Sequence, residues 1–298
     1  MINITRFDNK ILKHIAKLDL KSYRDKAGEF IVEGERICGE AISACSERIS
    51  CVLLTNEFLE KNIIFQKKLD DLHAKIYTVS ETIFKRIAKT QTPQGVLCVL
   101  KKPSINKLDF AKLSNVLILD GVSEPGNMGT IVRTANAFGF GTVILNKGCV
   151  DVYNPKVVRT TMGAIFKVNF VETDNIAECI AQLKAAKFSV VSTALKNSTD
   201  INKVEISEKT ALVIGSEARG VSEEILKLSD MCVKIPMSEG AESLNAAVAA
   251  GIVMHLAMCK SRLNLTKMER RRTGGTPVDI FVKNEIALIQ GFAWQSFK

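Results

Sequence analysis

Three segments of the chain combine hydrogen-bonding side chains with glycines directly after an apolar run. They span residues 119–139, 212–222 and 235–251. Amides, hydroxyls and a guanidinium that stays protonated can hold a polar substrate in place for a transfer reaction. Gly215 lies where an apolar run ends, so bare backbone there can meet a flat ligand. The candidate polar residues of the three segments are Asn127, Arg133, Glu217, Ser243 and Asn245.

Each segment also has an ordinary structural interpretation. Asn127 follows a Pro-Gly turn and suits the cap of a helix, and Arg133 suits a solvent-exposed surface. The second segment could be a plain turn with Ser222 capping the next helix. Small residues at 246–251 allow tight helix packing. The helix that they form would be capped by one of the two polar residues before it, Ser243 or Asn245.

Residues 115–262 predict the elements that position these side chains. Uninterrupted apolar runs separated by helical stretches indicate a buried, mostly parallel sheet. Ligands of such sheets bind beyond the carboxyl ends of the strands, where all three segments begin. A last helix is predicted over residues 243–260. The predicted strands cover residues 116–119, 142–145, 167–171, 189–193, 211–214 and 232–235.

The first hundred residues predict a separate, small α/β sandwich. Residues 1–20 read as an amphipathic helix. Strands are predicted at 29–33, 49–55, 75–79 and 96–100, with helices at 34–45 and 80–88 between them. A polar segment at 101–114, which contains Pro103, is the predicted linker.

The tail at 263–298 carries no motif with a chemical interpretation. It consists of a basic run at 268–272, a break at 274–277 and an apolar stretch at 279–297. It could be an extra dimer or RNA element, or a sequence unrelated to function.

The positive charge of the chain lies outside its middle block. The formal net charge is +9, from 41 Lys and Arg against 32 Asp and Glu. Residues 1–100 carry 16 cationic and 13 acidic residues, residues 101–114 carry 4 and 1, and residues 263–298 carry 6 and 3. Residues 115–262 are balanced, with 15 of each. The basic segments on either side of residues 115–262 would therefore hold a polyanionic partner. The neutral block between them would act on a small part of that partner.

Cysteine and histidine usage predicts neither a disulfide framework nor a metal site. The eight cysteines form no C-x-x-C pair, and the three histidines are scattered. We therefore expect reduced thiols and a cytoplasmic protein. The most apolar stretch, 244–258, is short for a bilayer span and contains Asn245 and His255. The sequence thus predicts no membrane segment and no export signal.

In this order and spacing, the three segments resemble the three motifs of the SpoU branch of the SPOUT RNA methyltransferases. The resemblance covers residues 115–262, and residues 23–36 and 90–96 are similar to parts of a substrate-binding domain often attached to that family. It implies S-adenosylmethionine-dependent methylation of a ribose 2′-hydroxyl in structured RNA, with ribosomal RNA favoured and tRNA left as the alternative. The implied fold is a parallel-sheet domain with a deep trefoil knot, working as a homodimer. A ribosomal-protein-like α/β sandwich at residues 1–100 would precede it and grip RNA.

The resemblance also implies roles for individual residues. The five polar residues named above match the active-site positions of the family. Residues at strand ends and in the third segment should contact the cofactor, largely through backbone groups: Gly215, Ile235, Leu244, Thr193 and Ala194. Candidate RNA contacts are Arg24, Lys26, Arg36 and Arg159.

The sequence departs from the family pattern at a few positions. Glu124 stands where Asp is more usual, Ala218 where Gly is frequent, and Ala246–Ala247 where a Val-Ser pair is frequent. None of these departures removes a charged group. Proposals for the family make Arg133 the base, although a guanidinium is a reluctant one. Arg133 could instead hold the phosphate and the hydroxyl, and both roles stay open.

Two other classes of protein compete with this interpretation. One is a non-catalytic RNA-binding or ribosome-assembly protein that retains the knot, which need not bind S-adenosylmethionine. The other is a nicotinamide-dependent α/β enzyme. Such an enzyme would need G-x-G-x-x-G after its first strand, and residues 121–129 do not match that pattern.

Overall fold

The structure, a computed structural model, describes residues 1–103, 109–240 and 243–273, with side chains described up to Lys260. Part of the predicted linker and the tail from residue 274 lie outside the described residues. Two sheets organise the described chain, one of five strands and one of seven. We call them, with their helices, the amino-terminal module (residues 1–101) and the carboxy-terminal module (residues 116–273). The α/β fold class is confirmed.

The amino-terminal module is a mixed sheet with strand order β1-β4-β3-β5-β2. Strands β2 and β3 pair antiparallel to β5, whereas β4 lies parallel to β3 and β1. The strands are β1 (Ile2–Ile4), β2 (Glu29–Glu33), β3 (Ile49–Thr55), β4 (Lys75–Val79) and β5 (Val96–Lys101). The helices are α1 (Lys10–Lys17), α2 (Lys21–Ala27), α3 (Glu35–Cys45), α4 (Asn56–Lys61), α5 (Ile63–Asp70) and α6 (Glu81–Ile87).

The prediction of one amphipathic helix over residues 1–20 is wrong at its start. Residues 2–4 form an edge strand that pairs with Tyr77–Val79 of β4. Helix α1 begins only after Asn9, whose side-chain oxygen accepts a hydrogen bond from the Ile11 backbone N–H at 2.9 Å. This cap fixes where the helix begins. The edge of β4 supplies the backbone partners that make residues 2–4 extended, and single-sequence periodicity does not show them.

The carboxy-terminal module is a wholly parallel sheet with strand order β10-β12-β9-β11-β6-β7-β8. The strands are β6 (Val116–Asp120), β7 (Thr142–Leu145), β8 (Asn169–Glu172), β9 (Ser189–Thr193), β10 (Thr199–Asp200), β11 (Thr210–Gly215) and β12 (Met231–Lys234). The helices are α7 (Pro125–Ala137), α8 (Pro155–Thr160), α9 (Ile176–Ala185), α10 (Glu223–Leu228) and α11 (Ala246–Thr273). The predicted buried parallel sheet is confirmed, and β6 and β11 are fully buried at its centre.

Two predicted elements in this module are displaced by more than one residue. Strand β8 begins at Asn169 because a 3-10 turn at Ala164–Phe166 still occupies the preceding residues. Helix α11 begins at Ala246 and continues to Thr273, well beyond the predicted end at residue 260. The basic run 268–272 therefore lies on the last turns of α11, outside the residues whose side chains are described.

A buried ion pair joins the two modules. The Arg24 guanidinium on α2 donates to Asp151 Oδ2 from Nη2 at 2.5 Å and from Nε at 3.0 Å. Its Nη1 donates to the carbonyl oxygens of Leu18 and Asp19. Arg24 is 2% exposed, so the expectation that it contacts RNA is wrong. Its charge is instead satisfied inside the protein, where removing one partner of such a pair costs roughly 3–5 kcal/mol.

Apolar contacts continue the core across the same junction. The rings of Phe30 on β2 and Tyr153 lie 4.7 Å apart between centroids, and Tyr153 also contacts Phe170 of β8 at 6.3 Å. One buried cluster contains residues of both sheets, from Phe30 and Val32 to Leu117. Burial raises the pKa of Tyr153 to about 12. The modules thus share buried surface rather than meeting only through a linker.

Candidate active site

Helix α7 begins at the carboxyl end of β6 with a glutamate cap. The Glu124 carboxylate accepts a hydrogen bond from the Asn127 backbone N–H at 2.6 Å. A hydrogen bond from the Gly126 backbone, the Lys156 ammonium at 3.0 Å and the Asn127 N–H together lower the Glu124 pKa to about 2. The interpretation of Asn127 as the cap is therefore wrong. Glu124 occupies that position, so the Asn127 side chain is available for other contacts.

The Asn127 side chain joins all three sequence segments. Its Nδ2 donates to Glu217 Oε1, and its Oδ1 accepts from Asn245 Nδ2 at 3.0 Å. Asn245 also caps α11, because its Oδ1 accepts from the Ala247 backbone N–H at 2.9 Å. The bond from Asn245 orients the Asn127 amide, so its two functional groups have fixed roles. The result is a polar cluster, Asn127–Glu217–Asn245, at the carboxyl edge of the sheet.

A tight return of the chain after β11 presents Glu217 to this cluster. Ser216 and Gly220 form an antiparallel bridge, and a Cβ built on Gly215 would lie 2.0 Å from the Gly220 backbone carbon. The missing side chain at Gly215 is therefore required by the protein's own backbone. Ser222 precedes α10 without a side-chain cap bond, contrary to the ordinary interpretation of this segment.

Asp120 supports the loop and was missed by the sequence analysis. This residue ends β6 and is 8% exposed. Its Oδ2 accepts from the Ser222 backbone N–H at 2.7 Å, and its Oδ1 accepts from Asn146 Nδ2 at 2.8 Å. The carboxylate ties the loop that contains Glu217 to the central strand. A charged residue at the end of an otherwise apolar run, Val116–Asp120, is the signal that could have identified it.

The cofactor candidates at strand ends lie side by side along the carboxyl edge. Strand β9 lies between β12 and β11, with Thr193 opposite Val233 and Ser192 opposite Val213. Continuing this register places Ala194 opposite Gly215 on one side and opposite Lys234 on the other, and Ile235 follows one residue further along. These residues form a row at the strand ends. Thr193 Oγ1 donates to the Val213 carbonyl at 3.1 Å, and the Ala194 N–H donates to the Val233 carbonyl at 2.9 Å.

Apolar side chains border this row. Leu195, which follows β9, is 62% exposed, and Ile235 is half-buried against the core. Leu244, also half-buried, precedes the Asn245 cap of α11. An edge of backbone groups bordered by aliphatic side chains suits a flat, largely apolar ligand.

Arg133 and Ser243 lie apart from the polar cluster within one chain. Arg133 is exposed on α7, roughly a third of a turn around the helix from the face of Asn127. Ser243 is exposed, three residues before the start of α11. Neither side chain makes a hydrogen bond or ion pair with any described residue. The structure thus brings together three of the five polar candidates.

The two stretches of the amino-terminal module that resemble a substrate-binding domain meet in space. Gln94 Oε1 accepts from the Glu35 backbone N–H at 2.8 Å at the start of α3. Glu33 accepts from the Lys89 N–H at 2.7 Å and from the Thr90 hydroxyl. The loop at residues 89–95 is therefore held against the amino end of α3, next to Arg36.

The remaining candidate RNA contacts are exposed. Lys26 on α2 and Arg159 on α8 form no ion pair with a described residue. Arg36 contacts Glu40 at 3.4 Å within α3 but is 73% exposed. These three side chains are accessible to a polyanion, in contrast to Arg24.

Comparison with known proteins agrees with this geometry. The model of the SpoU rRNA Methylase family matches residues 114–255, and that of the MRM3-like substrate binding domain matches residues 9–98. The 23S rRNA (guanosine(2553)-2′-O)-methyltransferase RlmP of Bacillus subtilis is 33% identical over 255 residues, which cover 86% of this chain and 98% of that protein. The chain belongs to the SpoU rRNA methylase family. The resemblance to the SpoU branch that the three segments show is thereby confirmed.

Other members of the SpoU family share most of the chain. The mitochondrial rRNA methyltransferase 3A of Danio rerio is 30% identical over 89% of this chain and 71% of its own. The AviRb SpoU methyltransferase of Streptomyces viridochromogenes, solved in complex with AdoMet, superposes with a TM-score of 0.76 at 26% identity, covering 86% of this chain and 98% of that one. An AdoMet-bound rRNA methyltransferase from Sinorhizobium meliloti gives a TM-score of 0.74 at 26% identity, covering 86% and 96%.

Within the described residues, no helix is long and apolar enough to cross a membrane. The same part of the chain holds no group of three or more His, Cys, Asp or Glu placed to bind a metal ion. All eight cysteines are unpaired, and burial raises the pKa of Cys51 to about 12 and that of Cys179 to about 11.

Proposed function

We propose that this protein transfers the methyl group of S-adenosylmethionine to a ribose 2′-hydroxyl of large-subunit ribosomal RNA. The observation that carries the proposal is the Asn127–Glu217–Asn245 cluster at the carboxyl edge of the parallel sheet. Members of the same family named as rRNA 2′-O-methyltransferases or solved with AdoMet support the reaction and the cofactor. The guanosine named for the Bacillus subtilis relative, 2553 of 23S rRNA, is the first position to test.

The residues at the edge of the sheet fit this cofactor. The row Ala194, Gly215 and Ile235 offers backbone groups for a purine, and Leu195 and Leu244 offer aliphatic surface for its faces. Thr193 completes the row. When bound, S-adenosylmethionine supplies an activated methyl group on a sulfonium, so the protein mainly has to align the acceptor.

The polar cluster would orient the ribose for attack. Asn127 and Asn245 hold each other at 3.0 Å, so their remaining hydrogen-bonding capacity points in fixed directions. Glu217 holds the Asn127 amide and keeps the loop after β11 against α7. Ser243, which is exposed and makes no hydrogen bond to this cluster within one chain, would add a hydroxyl that can donate or accept at the substrate.

Arg133 would act on the RNA rather than on the cofactor. Its guanidinium has no partner among the described residues, so it can take a phosphate in a bidentate arrangement. A guanidinium rarely gives up its proton, and we therefore assign Arg133 to holding the phosphate and the 2′-hydroxyl. The hydroxyl proton would then pass to phosphate or water as the methyl group is transferred.

We further propose that two chains associate through a groove between α7 and α11. The groove starts at Asn127 and Asn245, has a volume of about 580 Å³ and is largely apolar, with Val248 51% exposed. Its walls are Thr130 and Thr134 on α7, Phe138 directly after that helix, and Val248, Gly251 and Ile252 on α11. A second copy on this groove would bury the apolar face and could bring its own Arg133 or Ser243 to the cluster. Membership of the SpoU family supports a trefoil knot in this module.

The division of labour between the modules is part of the same proposal. Residues 1–100 would be the RNA substrate-binding domain, 101–114 the linker, 115–262 the methyltransferase domain, and 263–298 a tail without an assigned task. Lys26, Arg36 and Arg159 would meet RNA phosphates, which mostly position an RNA rather than specify its sequence. The unpaired cysteines support a reducing, cytoplasmic location.

Methylation mapping tests the reaction. An unmodified 23S rRNA transcript is incubated with the full chain and tritiated S-adenosylmethionine, and ribose methylations are then mapped. We expect one methylated ribose whose appearance requires the protein. Calorimetry with S-adenosylmethionine alone separates an enzyme from a ribosome-assembly scaffold, because a scaffold need not bind the cofactor. Absence of both cofactor binding and methyl transfer would exclude the proposed activity.

A further inference from the structure

A second groove lies at the junction of the two modules, away from the polar cluster. Its walls are α3 and the start of α5 in the amino-terminal module, and Phe166 and Lys167 in the carboxy-terminal module. Its volume is about 690 Å³. Within the groove, Glu40 of α3 packs so closely against Gly163 that a Cβ there would lie 1.5 Å from Glu40 Oε2. The groove therefore exists only while the two modules keep this relative placement.

The junction is built to keep that placement. The Arg24–Asp151 pair is buried on both sides, with side chains 2% and 5% exposed. Asp151 Oδ1 also accepts from the Tyr153 backbone N–H at 2.9 Å, which fixes the loop whose Tyr153 ring packs on Phe30. A buried charge pair satisfied at each atom favours one arrangement, because any displacement leaves a charge unpaired.

Cationic side chains from both modules border the groove. Four cations, Arg36, Lys61, Lys68 and Lys167, stand against two carboxylates, Glu35 and Glu40. Arg36 and Lys61 already pair with glutamates of their own helices. The ammonium groups of Lys68 and Lys167 form no ion pair with a described residue, and both residues are exposed. Lys68 and Lys167 thus contribute two unpaired positive charges, one from each module, against the one unpaired carboxylate of Glu35 in the groove lining.

The lip of the groove adds exposed apolar surface. Ile63 and Ile64, the first residues of α5, are 64% and 80% exposed. The two exposed isoleucines lie beside the ammonium groups of Lys68 and Lys167, so the groove offers both positive charge and apolar surface. Phosphates would meet the ammonium groups while sugar and base edges lie against the isoleucines, as in a single strand or the wide, shallow groove of an RNA helix.

We propose that this junction groove is a docking site for the backbone of the RNA substrate, so that RNA is held by both modules at once. The proposal rests on the proposed function and deepens it. RNA is favoured over an acidic peptide because the excess charge is paired with apolar surface on an open groove that runs across two modules. The two modules keep a fixed distance, so this docking site would select RNAs by shape. An RNA is preferred when its backbone reaches the groove while its target ribose lies in the active site.

Charge reversal at the two free lysines tests the proposal. The variants are Lys68→Glu, Lys167→Glu and the double variant, with Lys227→Glu on α10 as the matched control on an exposed helix. Filter binding of an unmodified 23S rRNA transcript at several salt concentrations gives the affinity and its salt dependence. We expect weaker binding from each single variant and a further decrease in the double variant. The slope of log affinity against log salt should fall by roughly 0.7–0.9 for each phosphate that the protein no longer neutralises.

Two further measurements make the result specific. Calorimetry with S-adenosylmethionine should give wild-type affinity for all variants, which shows that the fold and cofactor site are intact. Ile64→Ser should weaken RNA binding without changing the salt slope. Wild-type RNA affinity and slope in the double variant would overturn the inference, as would an effect equal to that of Lys227→Glu. Failure of the wild-type protein to bind cofactor or methylate RNA would instead count against the proposed function.

Discussion

Asn245 Nδ2 donates to Asn127 Oδ1 at 3.0 Å, although the two residues are 118 positions apart in the chain. This bond connects the amino end of α7 with the cap of α11 and leaves the Asn127 amide facing Glu217. One amide group therefore holds together the three segments that are separated in sequence. Substitutions in this cluster, and in the elements that support it, should each have a distinct and measurable effect.

Asn127→Asp should abolish most activity while the protein stays folded. The substitution replaces the donor to Glu217 by a second carboxylate, and the two like charges would push the loop away from α7. We expect methyl transfer to fall by roughly 10²–10³-fold, the usual loss for a positioned polar group. Asn136→Asp, exposed on the same helix, is the control. A double variant that adds Glu217→Gln should regain part of the activity, since it restores one donor and one acceptor. Full activity of Asn127→Asp would contradict the assignment.

Arg133→Ala should leave folding and cofactor binding unchanged while methyl transfer falls, again by roughly 10²–10³-fold. The exposed guanidinium makes no hydrogen bond or ion pair with a described residue, so its removal should not destabilise the chain. Arg133→Lys should rescue poorly, because a point charge does not replace a bidentate fork. A tritiated-methyl assay at saturating S-adenosylmethionine measures the effect. Wild-type turnover by Arg133→Ala would refute the role.

Glu124 should contribute to stability across an acidic pH window. Its folded-state pKa, about 2, lies below the ordinary value of 4.5 because the carboxylate accepts backbone hydrogen bonds and faces Lys156. A depressed pKa means that the stabilisation is complete above about pH 4.5 and is lost as the pH falls toward 2. The unfolding free energy of wild type should thus converge on that of Glu124→Gln in this window. Urea denaturation of both proteins from pH 6 to about pH 2 measures the difference. A pH-independent difference would show that the carboxylate does not cap α7.

Val248→Glu should turn a dimer into a monomer. The substitution places a charge in the apolar groove between α7 and α11, where a second copy would have to desolvate it. Light scattering should report twice the 32.8 kDa chain mass for wild type and the single mass for the variant. Ile2→Glu is the control and should remain dimeric. Ile2 lies on the edge strand β1 of the amino-terminal module and is 55% exposed. A wild-type protein that is monomeric and active at the assay concentration would rule out the shared site.

Gly215→Ala should destabilise the protein and weaken cofactor binding. The added Cβ would collide with the Gly220 backbone at 2.0 Å, so the loop that contains Glu217 must move. Such overpacking typically costs about 1–3 kcal/mol, and a backbone neighbour cannot rotate away. Gly141→Ala is the matched control, because a Cβ there has open space and no left-handed backbone. Equal thermal unfolding midpoints for the two variants would contradict the close packing.

The sequence by itself determined the sheet of the carboxy-terminal module and the position of its polar segments. Long apolar runs such as Val116–Asp120 can be satisfied only by burial on both faces, so the parallel sheet follows from composition and length. The carboxyl ends of such strands meet at one edge, which is why Glu217 and Asn245 could be expected near Asn127. Local rules also predicted that α11 is capped by one of two residues, of which Asn245 is the one.

Only the tertiary structure decided which polar residue does what. Glu124 rather than Asn127 caps α7, because the helix already begins at Pro125 and the Glu124 carboxylate accepts from the Asn127 N–H, which leaves the Asn127 amide free. Arg24 reads as a surface cation, yet it is buried because Asp151, 127 positions away, lies opposite it. Residues 2–4 are extended because β4 offers them an unpaired edge. Asp151 determines the burial of Arg24, and β4 determines the extended conformation of residues 2–4. Both partners are distant in the chain, whereas periodicity and capping rules use only neighbouring residues.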